Sequence, residues 1–128
     1  MSRLTIHNPE NDAHFMRVKP VAATVRVRRG DKVLARSDKA LRVLETGRDV
    51  YDPVIYIPEA DVTGPLDPVP GKSTHCPLKG DCSYFALDGE EVAWTYDRPL
   101  DIAELLRGHV AFYAGKVTIE ETGKDALV

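Results

Sequence analysis

The sequence predicts a mainly β, antiparallel domain with one or two short helices. Three observations carry this. Apolar and polar residues alternate with a period of two in several short runs, the pattern of half-buried strands. Turn residues separate those runs at short intervals, so the strands follow one another as hairpins rather than as strand–helix–strand units. At 128 residues, with 43% hydrophobic and 29% charged, the chain is long enough for one core and has an ordinary globular composition.

Residues 1–21 show no clear period and contain Pro9 and Pro20, so they are expected as an N-terminal arm or extension. Residues 22–122 are expected as a single domain and residues 123–128 as a C-terminal tail. Residues 24–28, Thr-Val-Arg-Val-Arg, alternate strictly. A turn at Arg29-Gly30-Asp31-Lys32 leads to a return strand from Val33. Leu41-Arg42-Val43-Leu44 is a third short strand. Val54-Ile55-Tyr56-Ile57 is a β-branched and aromatic run closed by Pro58. Residues 64–73 hold three prolines and two glycines and read as loop. Residues 83–87 and 92–96 form a hairpin around Asp88-Gly89. Residues 101–107 are the best helix, with Asp101 as N-cap, Glu104 completing a capping box and Gly108 as the stop. Residues 110–113 and 116–120 make a final hairpin around Ala114-Gly115.

The formal net charge of −3 conceals an uneven distribution. Residues 17–48 carry ten Lys/Arg against three Asp/Glu, whereas residues 49–128 carry six against fifteen. The basic part is suited to an anion such as a phosphate, or it packs beside acidic strands and the two signs cancel. No aromatic interrupts the basic stretch 26–42, so nucleic-acid binding is not expected. No apolar run approaches the roughly 20 residues needed to span a bilayer, and the opening residues lack the apolar core of a secretory signal. Two cysteines do not make a disulfide framework. A cytoplasmic protein without membrane contact is expected, as a monomer or a homodimer.

Thr74-His75-Cys76-Pro77-Leu78-Lys79-Gly80-Asp81-Cys82 is the densest cluster of reactive side chains. Pro77 favours an extended Cys76, so Thr74 and Cys76 share one face and His75 takes the other. His75 is then badly placed as a base for Cys76, and His109 is the option from elsewhere in the core. Four readings of this loop stay open. Cys76 is a nucleophile whose thiolate Lys79 favours. Cys76, Cys82 and His75 bind zinc, although C-x₅-C is not knuckle spacing. Lys79 and free backbone N–H groups after it bind an anion. Or the loop is structural, stiffened by Pro77 and Gly80.

Trp94 and Tyr96 share a strand face, and Tyr84 lies on the partner strand. With Tyr56 they are candidate pocket walls, or core aromatics with their polar atoms hydrogen-bonded. Glu45 projects from the end of an apolar strand. Arg26 and Arg28 lie opposite Val25 and Val27, and an arginine there either is solvated or faces Glu45 or a ligand carboxylate.

These residues together resemble the bacterial family catalogued as domain of unknown function 427. The resemblance runs from Thr24 through Leu44-Glu45-Thr46-Gly47 and Tyr56-Ile57-Pro58-Glu59-Ala60-Asp61-Val62. It is sharpest at Thr74-His75-Cys76-Pro77-Leu78-Lys79-Gly80 with Tyr84. It ends with Ala93-Trp94-Thr95-Tyr96, Pro99 and Gly108-His109-Val110-Ala111-Phe112-Tyr113. It implies a small antiparallel β-tent-like fold, similar to zinc-binding exchange factors and methionine-sulfoxide reductases. A nucleotidyltransferase heading is attached to the family by some, but the Gly-Ser and paired-aspartate pattern of such enzymes is absent here. The four-cysteine knuckles of the metal-binding relatives are absent too, so no metal or cofactor is expected.

The expected function is binding, with or without turnover, of a small anionic molecule near residues 74–80. Lys79, Tyr56, Trp94, Tyr96, Tyr84 and Arg26 are the candidate binding residues, and Cys76, His75 and Glu45 the candidate catalytic ones. The alternatives are a non-enzymatic structural or interaction module and a nucleotidyltransferase-like enzyme.

Overall fold

Two antiparallel sheets dominate residues 4–123, which the computed structural model describes, with turns, loops and two 3₁₀ segments between their strands. The strands are β1 (Leu4–Asn8), β2 (Asn11–Pro20), β3 (Ala23–Arg29), β4 (Lys32–Ser37), β5 (Leu41–Thr46) and β6 (Val54–Pro58). After them come β7 (Asp67–Cys76), β8 (Gly80–Leu87), β9 (Glu90–Pro99), β10 (His109–Phe112) and β11 (Thr118–Gly123). The large sheet has the order β1-β2-β5-β6-β10-β9-β8-β7, and the small one β11-β3-β4. Among the described residues no helix is long and apolar enough to cross a membrane.

The alternation that predicts β3 places Val25 and Val27 fully inside. With Leu34 and Ala35 of β4 they pack on one face of the large sheet, against Ile55, Ile57, Val92, Val110 and Phe112. The outward arginines of β3 meet the acidic strand β11: Arg26 and Arg28 pair with Glu120, and Arg42 of β5 pairs with Glu121. Much of the basic segment is thus neutralised by acids far along the chain.

The other face of the large sheet holds a second core. Ile6, Met16, Val18, Val43, Tyr56, Leu78, Cys82, Tyr96 and Ala111 line it, and Ala103 and Leu106 close it. These residues come from almost every strand of the sheet, so the sheet curls around them. Four inter-strand steps separate β5 from β8, about 19 Å along a flat sheet. Side chains from β5 and from the turn before β8 nevertheless touch.

Four local expectations are corrected. Residues 4–20 are extended, but as a β1–β2 hairpin whose second strand pairs with β5; Pro20 ends β2 and interrupts nothing. Residues 1–3 of the expected arm, and the expected tail beyond Gly123, lie outside the described residues. The proline-rich stretch expected as loop contains most of β7, an edge strand whose ladder to β8 breaks between Pro68 and Ser73. Prolines are tolerated at an edge because their missing N–H can face away from the neighbour. Asp101–Leu106 is 3₁₀ rather than α-helical, with Leu100 at the N-cap, no side-chain cap and non-helical Ala103 inside. Burying Ala103 and Leu106 decides its shape, not capping. Finally, β10 and β11 are not a hairpin. β10 pairs with β6 and β9, and the chain then crosses to β3.

Candidate functional site

Met16 lies opposite Glu45 and Phe15 opposite Thr46 in the β2–β5 ladder. Alternation from the buried Val18 and Met16 therefore puts His14 on the inner face, beside Glu45 and over Gly47. A Cβ at Gly47 would lie 3.1 Å from His14 Cδ2. The bare glycine leaves room for the imidazole. One apolar stripe thus ends in a polar pair, with His14 Nε2 2.9 Å from Glu45 Oε2.

The opposing wall is the turn between β7 and β8. Cys76 pairs with Gly80 across it, Leu78 is fully buried, and the Leu100 N–H donates to the Lys79 carbonyl at 2.8 Å. Gly80 has φ +115°, and a Cβ there would come within 2.5 Å of the Arg98 carbonyl oxygen and 2.6 Å of the Leu100 nitrogen. Only glycine permits this approach. The turn so anchored sends the ammonium of the buried Lys79 past the Tyr96 ring to the Glu45 carboxylate.

The hydrogen bonds assign the His14 tautomer. Asn8 Oδ1 accepts from the Glu10 N–H at 3.0 Å, so Asn8 Nδ2 is the donor to His14 Nδ1 at 3.3 Å. His14 Nε2 therefore carries the proton and donates to Glu45. Burial acts to raise the Glu45 pKa, but the charge and hydrogen bond of Lys79, with the hydrogen bond of His14, outweigh it and hold the carboxyl below its ordinary 4.5. Behind this pair, the Trp94 indole N–H donates to the Tyr56 hydroxyl at 3.2 Å. Burial pushes the Tyr56 and Tyr96 phenols well above their usual range. The site has charge on Glu45 and Lys79 and neutral phenols behind them.

Cys76 completes the cluster. One donor atom each of His14, Glu45 and Cys76 lies within 4.8 Å of the other two. Of the three, His14 also lines a cleft of about 360 Å³, together with Asn8, Asn11, Gly47, Arg48, Tyr51 and Pro77. That lining holds a guanidinium, an imidazole, two amides and a phenol, but no carboxylate.

Of the candidate residues, the fold brings together Glu45, Cys76, Lys79, Tyr56 and Tyr96, with Trp94 attached through Tyr56. His75 points the other way, as alternation predicts; its side chain is 61% exposed and bonds Asp81 at 2.8 Å. Cys82 is buried, with Sγ 3.6 Å from the Ser83 carbonyl oxygen. Cys76, Cys82 and His75 are therefore not assembled as a zinc set. Arg26 is on the small sheet with Glu120, not facing Glu45. Tyr84 bonds Thr74 at 2.6 Å beneath Lys72. His109 Nδ1 bonds the Arg107 carbonyl at 3.1 Å. Sequence reasoning missed His14, Asn8, Arg48 and Tyr51. His14, Met16 and Val18 at every second position carry the signal, but Pro9 and Pro20 obscure it.

The family described as "Domain of unknown function (DUF427)" matches residues 17–123. No curated protein matches the chain.

Proposed function

Since the chain belongs to this family, whose description leaves function open, we propose from its geometry that the cleft beside Pro77 binds a small anionic molecule. The observation that carries the reading is the lining: hydrogen-bond donors and one guanidinium, with no carboxylate among them. Arg48 is the charge partner, offering a planar fork to a carboxylate or phosphate. Asn8, Asn11 and the Tyr51 hydroxyl supply further polar contacts, and the Tyr51 ring forms a wall. Lys79 acts one layer back. By neutralising Glu45, which bonds the lining residue His14, it lessens the repulsion of an anion from behind the cleft. The aromatic trio of Tyr56, Trp94 and Tyr96 packs in the core beside that ion pair.

A buried ion pair costs desolvation that an apolar pair would avoid. Finding one at the end of an otherwise apolar stripe, directly behind the cleft residue His14, supports a binding role over a purely structural one. Calorimetric titration at low ionic strength tests this with inorganic phosphate, a short dicarboxylate and a nucleoside monophosphate. Saturable binding of at least one, lost in Arg48→Gln at an unchanged melting temperature, is expected. Heat with none of the three, or equal binding in the variant, removes the reading and favours the non-enzymatic module.

A further inference from the structure

We infer that His14, Glu45 and Cys76 form a site for a divalent transition metal of the zinc class, joined to the cleft through His14. The inference rests on these three donor atoms and stands apart from anion binding. The donors come from three strands, β2, β5 and β7, and bring nitrogen, oxygen and sulfur within 4.8 Å of one another. Tetrahedral zinc, with bonds of about 2.0–2.3 Å, places its ligand atoms roughly 3.3–3.7 Å apart. His14 Nε2 and Glu45 Oε2, at 2.9 Å, need to open slightly, and Cys76, within 4.8 Å of both, needs to close by at most roughly 1.5 Å. Imidazole with thiolate selects zinc or cobalt over magnesium or calcium. Three protein ligands, one of them lining the cleft, leave the fourth position to water or to a bound molecule.

The surroundings suit this assignment. Lys79 holds Glu45 through Oε1 and leaves Oε2 for the metal; a hydrogen-bonded carboxylate is the usual outer support of such a ligand. The proton now shared by His14 Nε2 and Glu45 occupies the place of the cation. On binding, that proton leaves Nε2 and Nδ1 takes one up. The Asn8 amide turns its oxygen toward Nδ1, giving up the Glu10 N–H at an exposed turn. The Cys76 thiol releases its proton as it becomes a ligand, so one proton per site goes to solvent.

The test is titration of the chelator-treated full chain with Co²⁺, in a buffer free of phosphate. One equivalent is expected to produce visible d–d bands of tetrahedral intensity and a near-ultraviolet thiolate-to-cobalt band. Cys76→Ser should lose the thiolate band, and His14→Gln should keep it with affinity weakened about tenfold or more. Cys82→Ser should behave as wild type. X-ray absorption of the zinc-loaded wild type covers the case of a variant that fails to fold, and one sulfur with nitrogen and oxygen ligands is expected. No saturable cobalt binding, a thiolate band that survives Cys76→Ser, or two sulfur ligands would each overturn the inference. Neither phosphate nor Arg48 enters this experiment, so its failure is separate from failure of the anion site.

Discussion

Lys79 reaches the Glu45 carboxylate across the mouth of the curled large sheet, from a turn 34 residues further along the chain. The contact joins β5 to the β7–β8 turn although β6, β10 and β9 lie between them in the sheet. Both side chains are largely buried, 10% exposed for the lysine and 16% for the glutamate. The pair therefore does two things. It closes the curl over the second core, and it neutralises the carboxylate bonded to the cleft residue His14.

Removing one partner tests the first role. Lys79→Met leaves the Glu45 carboxylate beside an apolar core with His14 as its remaining partner, and it should cost about 2–4 kcal/mol. The double variant with Glu45→Gln removes the orphaned charge and should recover more than half of that. Urea unfolding of the four-member cycle measures both. A lysine held free for a ligand would behave oppositely, since its removal would leave stability unchanged or raise it.

Gly80 fixes where that lysine can go. Gly80→Ala forces a Cβ against backbone atoms of Arg98, Pro99 and Leu100 at 2.5–2.8 Å, and backbone there cannot swing aside. We expect a loss of about 3 kcal/mol or more. Gly89→Ala is the internal control. Gly89 also has positive φ, at +81°, but has open space around it, so its cost should be the backbone term alone, about 1–2 kcal/mol. Chemical denaturation of the two variants side by side separates clash from conformation.

Which parts were legible in the sequence follows from where each signal resides. β3 announces itself by local alternation, β6 by a continuous β-branched and aromatic run, and β8 and β9 by strand-forming runs on either side of Asp88-Gly89. Glu45, Cys76, Lys79 and Tyr56 stand out as chemistry at the ends of such runs. His14 does not, because its place depends on β2 pairing with β5, and no local pattern encodes that register. β11 illustrates the same limit. Its residues read as the return arm of a hairpin with β10, yet the ion pairs of Glu120 with Arg26 and Arg28 belong to a partner more than 90 residues away. Asp101 and Glu104 spell a capping box, but the buried Ala103 and Leu106 impose a 3₁₀ turn in its place.

Tyr56→Phe probes the aromatic trio. Tyr56 is 1% exposed and its hydroxyl accepts from the Trp94 indole. Phenylalanine preserves the packing and leaves the indole N–H without its acceptor, for which about 1–2 kcal/mol is expected. Trp94 is the sole tryptophan, so its emission reports the change directly. A shifted emission maximum with lowered stability is expected. Unchanged emission would mean that the indole finds another acceptor.

Glu90 sets the acid response of the link between the two sheets. Its carboxylate is held by Lys116, on the connection after β10, and by Arg29, at the end of β3. The hydrogen bonds from Lys116 and Arg29, followed by their charges, lower its pKa from 4.5 to about 2. A carboxyl with a depressed folded-state pKa binds fewer protons folded than unfolded between those two values, so stability falls as pH falls through that window. The contribution is complete above about 4.5 and gone near 2. The melting temperature of wild type should exceed that of Glu90→Gln at neutral pH, and the gap should close as the pH is lowered toward 2. The groups are exposed to solvent, so added salt should narrow the gap at neutral pH as well. A gap independent of both pH and salt would assign the effect of the substitution to packing instead of charge.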